Sequence, residues 1–145
     1  MNKELDPRDV PLAAEPLMLP GGAVRLSQSG RPTLLGGRCT RCETRMFPRA
    51  EVCPSCMGDP VAEEEMPRAG TLYAYSVLHV GPKRFRRPLA VGYVDLPNGV
   101  RVFSHLEAHE TLATGGEVEL DMADVGQEPD GRPIRSFVFK PMGSK

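Results

Sequence analysis

The chain has 145 residues, no tryptophan, only three histidines, and no cysteine outside one short stretch. No apolar run approaches the roughly 18 residues that a membrane-crossing helix needs, so no such helix is expected. The opening residues, Met1-Asn2-Lys3-Glu4-Leu5-Asp6-Pro7, bring charge where an exported chain would bring an apolar stretch. The expected location is therefore the cytoplasm. Neither sign of charge is in excess: 18 basic against 19 acidic residues leave a net charge of -1. That removes the global attraction by which most nucleic-acid-binding proteins meet phosphates. Helix-length periodicity is scarce as well, and 15 glycines with 15 prolines fit short strands joined by turns.

The shortage of histidine also bears on catalysis. His79, His105 and His109 are the full set, and on a strand His105 points to the opposite face from its neighbour Ser104. A Ser-His dyad from these neighbours is not expected. No catalytic residue is assigned.

The cysteines present form C-x2-C-x10-C-x2-C: Cys39, Cys42, Cys53 and Cys56. A two-residue gap lets both thiolates of a pair point inward from one tight turn, and two facing turns place four sulfurs at the corners of a tetrahedron. A closed all-thiolate site fits zinc best. Disulfides would require an exported chain, and a redox pair should open a helix after a strand. Cys53-Pro54-Ser55-Cys56-Met57-Gly58 sits instead among turn formers. A rubredoxin-type iron site is the remaining alternative. With all four thiolates engaged, no cysteine is left as a nucleophile, and the metal keeps no open position for water.

Three parts follow along the chain. Residues 1–36, punctuated by Pro7, Pro11, Pro16, Pro20 and Pro32, read as an extended arm. Within it Val24-Arg25-Leu26 and Thr33-Leu34-Leu35 can pair as a hairpin. Residues 37–66 form the ribbon, with Phe47 expected beside the metal cluster and an acidic connector from Pro60 to Pro67. Residues 67–145 read as strands at 71–80, 89–96, 100–106, 118–122 and 134–140, with Pro97-Asn98-Gly99 as a hairpin turn. A long first strand and a break after the third match a five-stranded OB-fold barrel. The break, residues 107–116, leaves room for little more than one helical turn. The fold class is thus mainly β: a rubredoxin-like zinc ribbon, then an OB-fold.

Several blocks together carry a family resemblance. Leu35-Gly36-Gly37-Arg38-Cys39-Thr40-Arg41-Cys42, Phe47-Pro48-Arg49, Cys53-Pro54-Ser55-Cys56, Gly70-Thr71-Leu72, Val91-Gly92-Tyr93-Val94-Asp95-Leu96-Pro97-Asn98-Gly99, Gly115-Gly116-Glu117-Val118 and Phe137-Val138-Phe139-Lys140-Pro141 resemble the acyl-CoA-associated zinc-ribbon/OB-fold proteins in order and spacing. The resemblance covers about residues 33–141. It implies one structural zinc on Cys39, Cys42, Cys53 and Cys56. It also implies a noncatalytic accessory subunit in a hetero-oligomer with an acyl-CoA enzyme, whose partner holds the nucleophile. Such partners are thiolases, including the benzoylsuccinyl-CoA type, thiolase-like aldolases of steroid side-chain degradation, acyltransferases and MaoC-type hydratases. Such proteins often place Gly directly after the second Cys of each knuckle, where this chain has Glu43 and Met57.

Two surfaces admit further readings. Lys83, Arg84, Arg86 and Arg87 surround Phe85 and read as a solvated loop, as contacts to a partner's acidic patch, or as contacts to the phosphates of CoA. Tyr73, Tyr75 and His79 are expected on one strand face, with Arg101 and Phe103 nearby. These are the pieces of a stacking platform for single-stranded nucleic acid, the alternative function, or else core and interface tyrosines. The net charge of -1 and the carboxylates of residues 107–130 favour the second.

Overall fold

Strands make up the fold throughout the residues that the computed structural model describes, 17–19 and 23–142. In chain order they are β1 (Leu17–Leu19), β2 (Val24–Leu26), β3 (Pro32–Cys39), β4 (Arg45–Met46), β5 (Val61–Glu65), β6 (Ala69–Leu78), β7 (Leu89–Asp95), β8 (Arg101–Leu106), β9 (Glu117–Gln127) and β10 (Pro133–Pro141). A single 3-10 turn, His109–Thr111, fills the interval between β8 and β9, as its length predicts. The rest of the predicted N-terminal arm lies outside the described residues.

β6, β7 and β8 form an antiparallel meander, and β9 pairs with both β6 and β10. β10 lies parallel to β8 through Val138–His105 and Phe139–Leu106. The result is a closed five-stranded barrel of OB topology. β9 occupies one edge of β10 throughout, so β8 and β1 share the other, β1 running parallel beside Ile134–Ser136. The hairpin between β7 and β8 closes through Gly99, whose φ is 90° and whose amide donates to the Leu96 carbonyl. β9 continues well past Met122, where apolar alternation gives out. Its carboxylates find partners across the ladder, Asp121 at 2.8 Å from Lys140 and Asp124 at 3.0 Å from Arg135.

The ribbon is built on β3, which pairs antiparallel with β2, β4 and β5. The predicted hairpin of residues 24–26 and 33–35 is its first part. The acidic stretch expected as a connector is instead strand β5. Its charges are matched across the sheet: Arg25 meets Glu63 at 2.8 Å and Glu65 at 3.3 Å, while Arg38 and Arg45 meet Glu64 at 3.2 and 2.7 Å. Exposed pairs of this kind contribute only about 0–1 kcal/mol each. Their alternation does fix register, because a one-residue slip would swap every partner to the wrong face.

Ribbon and barrel share a core. Leu34 and Met66 are buried in the same cluster as Leu72, Val102, Phe137 and Phe139. Phe47, expected beside the metal cluster, packs instead edge-on against Phe137, ring centroids 5.7 Å apart. The metal end is filled by Met46 and Val61, so Phe47 is free to join the ribbon to the barrel.

Candidate metal centre and the barrel surface

The two knuckles repeat one hydrogen-bond pattern. In the first, the Cys39 amide donates to the Thr44 carbonyl and the Glu43 amide to the Cys39 carbonyl; in the second, Cys53 donates to Gly58 and Met57 to Cys53. Each turn needs a left-handed residue after its second cysteine, and Glu43 (φ 65°) and Met57 (φ 64°) supply it despite their side chains. The glycine-preferring position is therefore retained without glycine.

The four sulfurs lie within 4.8 Å of one another. Across the knuckles Cys39 and Cys56 are 3.6 Å apart, and Cys42 and Cys53 are 3.5 Å apart. A tetrahedron with metal–sulfur bonds of about 2.3 Å has edges of about 3.8 Å, so the spacing fits a tetrathiolate metal. The protonation pattern agrees. The Thr44 hydroxyl, 3.1 Å away, together with the Thr44 amide, holds the Cys42 thiol down at about 6. At Cys56 the Gly58 amide favours the thiolate, yet burial and the three neighbouring sulfurs outweigh it and push the thiol up to about 11. Four thiolates this close cannot all ionise unless a cation neutralises them.

The basic loop differs from a solvated turn. The Arg86 amide donates to the Val125 carbonyl and the Gln127 amide to the Arg84 carbonyl, so the loop is strapped along β9. It crosses at Gly126, where a Cβ would overlap the Arg84 carbonyl. Phe85, in the middle of the cations, is half-buried over Val125, Ile134 and Val138 and lies 5.2 Å from His105. Arg84, without an acidic neighbour in sequence, meets Glu128 at 2.7 Å. Lys83, Arg84 and Arg86 line a cavity of about 400 Å³ together with Asp124 and Gln127, and exposed Arg87 lies outside that lining. Ser104 and His105 point opposite ways as expected: Ser104 is buried, its hydroxyl donating to the His105 carbonyl, and His105 lies on the outer face under Phe85.

The tyrosines do not share a face. A β-bulge between Leu72 and Ala74 shifts the phase of β6, leaving Tyr73 outside, while the Tyr75 hydroxyl turns in to donate to the Leu112 carbonyl at 3.3 Å. The outer aromatic neighbour is Tyr93, which the sequence reading passed over and which strict alternation along residues 89–95 would have found. It pairs across the strands with Phe103, centroids 5.2 Å apart. Arg101 lies 3.5 Å over the Tyr73 ring and is held by both oxygens of Asp95, at 2.6 and 3.0 Å.

A tetrathiolate ribbon whose core runs into a closed OB barrel defines the class: a zinc-ribbon/OB-fold protein. Residues 30–61 match the family model described as the ChsH2 rubredoxin-like zinc ribbon domain, and residues 63–123 that of the ChsH2 C-terminal OB-fold domain. The chain belongs to this ChsH2-type family. It is 36% identical over 110 residues to the benzoylsuccinyl-CoA thiolase subunit BbsA of Thauera aromatica, covering 75% of this chain and 76% of that protein. A DUF35 domain-containing scaffold protein of Methanocaldococcus jannaschii is 32% identical over 118 residues, covering 77% and 84%. Among solved structures, the Ltp2-ChsH2(DUF35) aldolase aligns with a TM-score of 0.61 at 29% identity, covering 75% of this chain and 84% of that one.

Proposed function

We propose that this protein is a noncatalytic accessory subunit of a thiolase-like or aldolase-type acyl-CoA enzyme, held in shape by one zinc on Cys39, Cys42, Cys53 and Cys56. The observation that carries the reading is kinship through both ribbon and barrel with a protein named as a thiolase subunit. The site chemistry supports it, since the four thiolates would enclose a metal completely and leave it structural. Among the other chemistry-bearing groups, Ser104 is buried and points away from His105. The partner supplies the nucleophile. Thiolases and aldolases of acyl-CoA substrates are the candidate hosts, benzoylsuccinyl-CoA thiolases and steroid side-chain aldolases among them.

Among the described residues Arg84 is paired with Glu128, which leaves Lys83, Arg86 and Arg87 as the loop cations for an anion, either CoA phosphates or carboxylates of the partner. Lys83→Glu with Arg86→Glu should keep zinc and fold, and should weaken assembly or raise the KM of the complex for acyl-CoA. Unchanged assembly and kinetics across ionic strengths would make the loop purely structural.

Elemental analysis should find one zinc per chain, and Cys39→Ser or Cys56→Ser should lose it together with ribbon order. Purified alone, the chain should show no thiolysis, condensation, retro-aldol or hydration activity, whereas its co-expressed partner should gain activity or solubility. Turnover by the isolated chain would overturn the reading. Binding of single-stranded nucleic acid is disfavoured because Arg101, the cation of the aromatic face, is engaged by Asp95. Single-stranded DNA should be released by about 0.2 M salt.

A further inference from the structure

An antiparallel sheet exposed on one face normally alternates apolar-in with polar-out. The β6–β7–β8 meander does not. Its inner face carries the barrel core, and its outer face carries Tyr73, Leu78, Leu89, Val91, Tyr93 and Phe103. Cross-strand register places these together: Leu78 is opposite Leu89, Val91 opposite Ser76, and Tyr93 opposite Phe103. Tyr73, Tyr93 and Phe103 remain 51%, 45% and 56% exposed. The same outer surface continues past His105 to Val138 and Ile134, and there the barrel covers it with its own Phe85 strap. One half of an apolar surface is thus roofed by the chain itself, and the other half is open.

We infer that this open outer face of β6, β7 and β8 is the docking surface for the catalytic subunit, centred on Tyr93 and Phe103; this rests on the accessory-subunit reading above. Charge identifies the kind of occupant. The one ion pair among these outward positions is Asp95 with Arg101, so the face presents no net charge and offers a polyanion nothing to neutralise. Aromatic rings with a positionally locked Arg, and without free Lys or Glu, are the composition of a protein-interface centre. The matching surface on the catalytic subunit should be apolar and weakly charged. The basic loop then lies at the rim of the contact, away from its apolar centre.

The test is co-expression of the full chain with thiolase-like and aldolase-like catalytic chains of its own genome, one at a time, followed by capture through a tag on this chain. The wild type should capture one of them stoichiometrically, and Tyr93→Glu with Phe103→Glu should weaken that capture at least about tenfold. Zinc content and the unfolding midpoint should remain at wild-type values. Tyr93→Ser with Phe103→Ser, polar without charge, should weaken capture in the same direction and keeps the test open if glutamate disturbs the sheet. If the wild type captures an enzyme and both double variants capture it equally, the face is not the interface although the accessory reading survives. If the wild type captures none, the accessory reading fails and this inference with it. A wild type that is dimeric alone and monomeric as the double variant would make the occupant a second copy. Binding of a thymidine 20-mer at 0.15 M salt, abolished by the variants, would make it nucleic acid. Either result overturns the inference.

Discussion

Glu43 and Met57 show how much a single backbone position can demand. Both adopt φ near 65°, a conformation that costs an L-residue about 1–2 kcal/mol while glycine adopts it freely. Met57 is 75% exposed, so its side chain contributes little packing there. Met57→Gly should therefore stabilise the zinc-loaded protein by about 0.5–1 kcal/mol after the greater entropy of glycine in the unfolded chain is counted. Urea unfolding of the two proteins side by side reads the difference. These positions were legible in the sequence, because the spacing of the cysteines fixes where the left-handed turn must fall. Tyr73 and Tyr75 were not. Two-residue alternation assigns them one face, and the extra residue of a bulge leaves no mark in composition when Tyr, Ala and Tyr are all compatible with a strand.

The loop between β6 and β7 makes two predictions as an element. Gly126→Val should push the Arg84 carbonyl off β9 and free the strap, costing about 1–3 kcal/mol as overpacking does. Trypsin should then cut after Lys83, Arg84 or Arg86 much faster than in the wild type, the bond after Arg87 being protected by Pro88, with the barrel otherwise intact. The second concerns pH. Burial beneath Phe85 holds the His105 imidazole below its ordinary value of 6.5, and its Nδ1 has no hydrogen-bond partner among the described residues. The unfolded chain therefore takes up this proton first as pH falls through 6.5, so stability is full above that value and declines below it. Asp95, held down by Arg101, and Asp121, held down by Lys140, titrate only below 3.8. Between pH 7.5 and 5.5 the wild type should lose more of its thermal midpoint than His105→Leu does. Sequence patterning found the five barrel strands to within a few residues. It missed β5 and the far half of β9, since Glu63–Glu65 and Asp124 look like solvated charge until Arg25, Arg45 and Arg135 arrive from other strands.

For the molecule as a whole, the shared core decides how metal and fold are coupled. Leu34, Met66 and Phe47 enter the barrel's apolar cluster from the ribbon side, so disordering the ribbon strips the barrel of part of its own interior. Zinc removal by a chelator should lower the unfolding midpoint of the barrel too, and Phe47→Ala should reduce that coupling, splitting one transition into two. Calorimetry with and without chelator reads both, and a barrel transition indifferent to zinc would contradict the shared core. The cysteine spacing announced the metal-binding end, whereas Phe47, two residues from Arg45 and six from Cys53, gave no sign in sequence that it faces Phe137. The two family models meet between residues 61 and 63, inside strand β5 rather than in a linker. A recombination event at that junction would sever a sheet and uncover Leu34 and Met66 together. Ribbon and barrel are therefore constrained to pass through evolution as one heritable unit, and a barrel borrowed from an unrelated protein could replace this one only if it brought its own seat for Phe47.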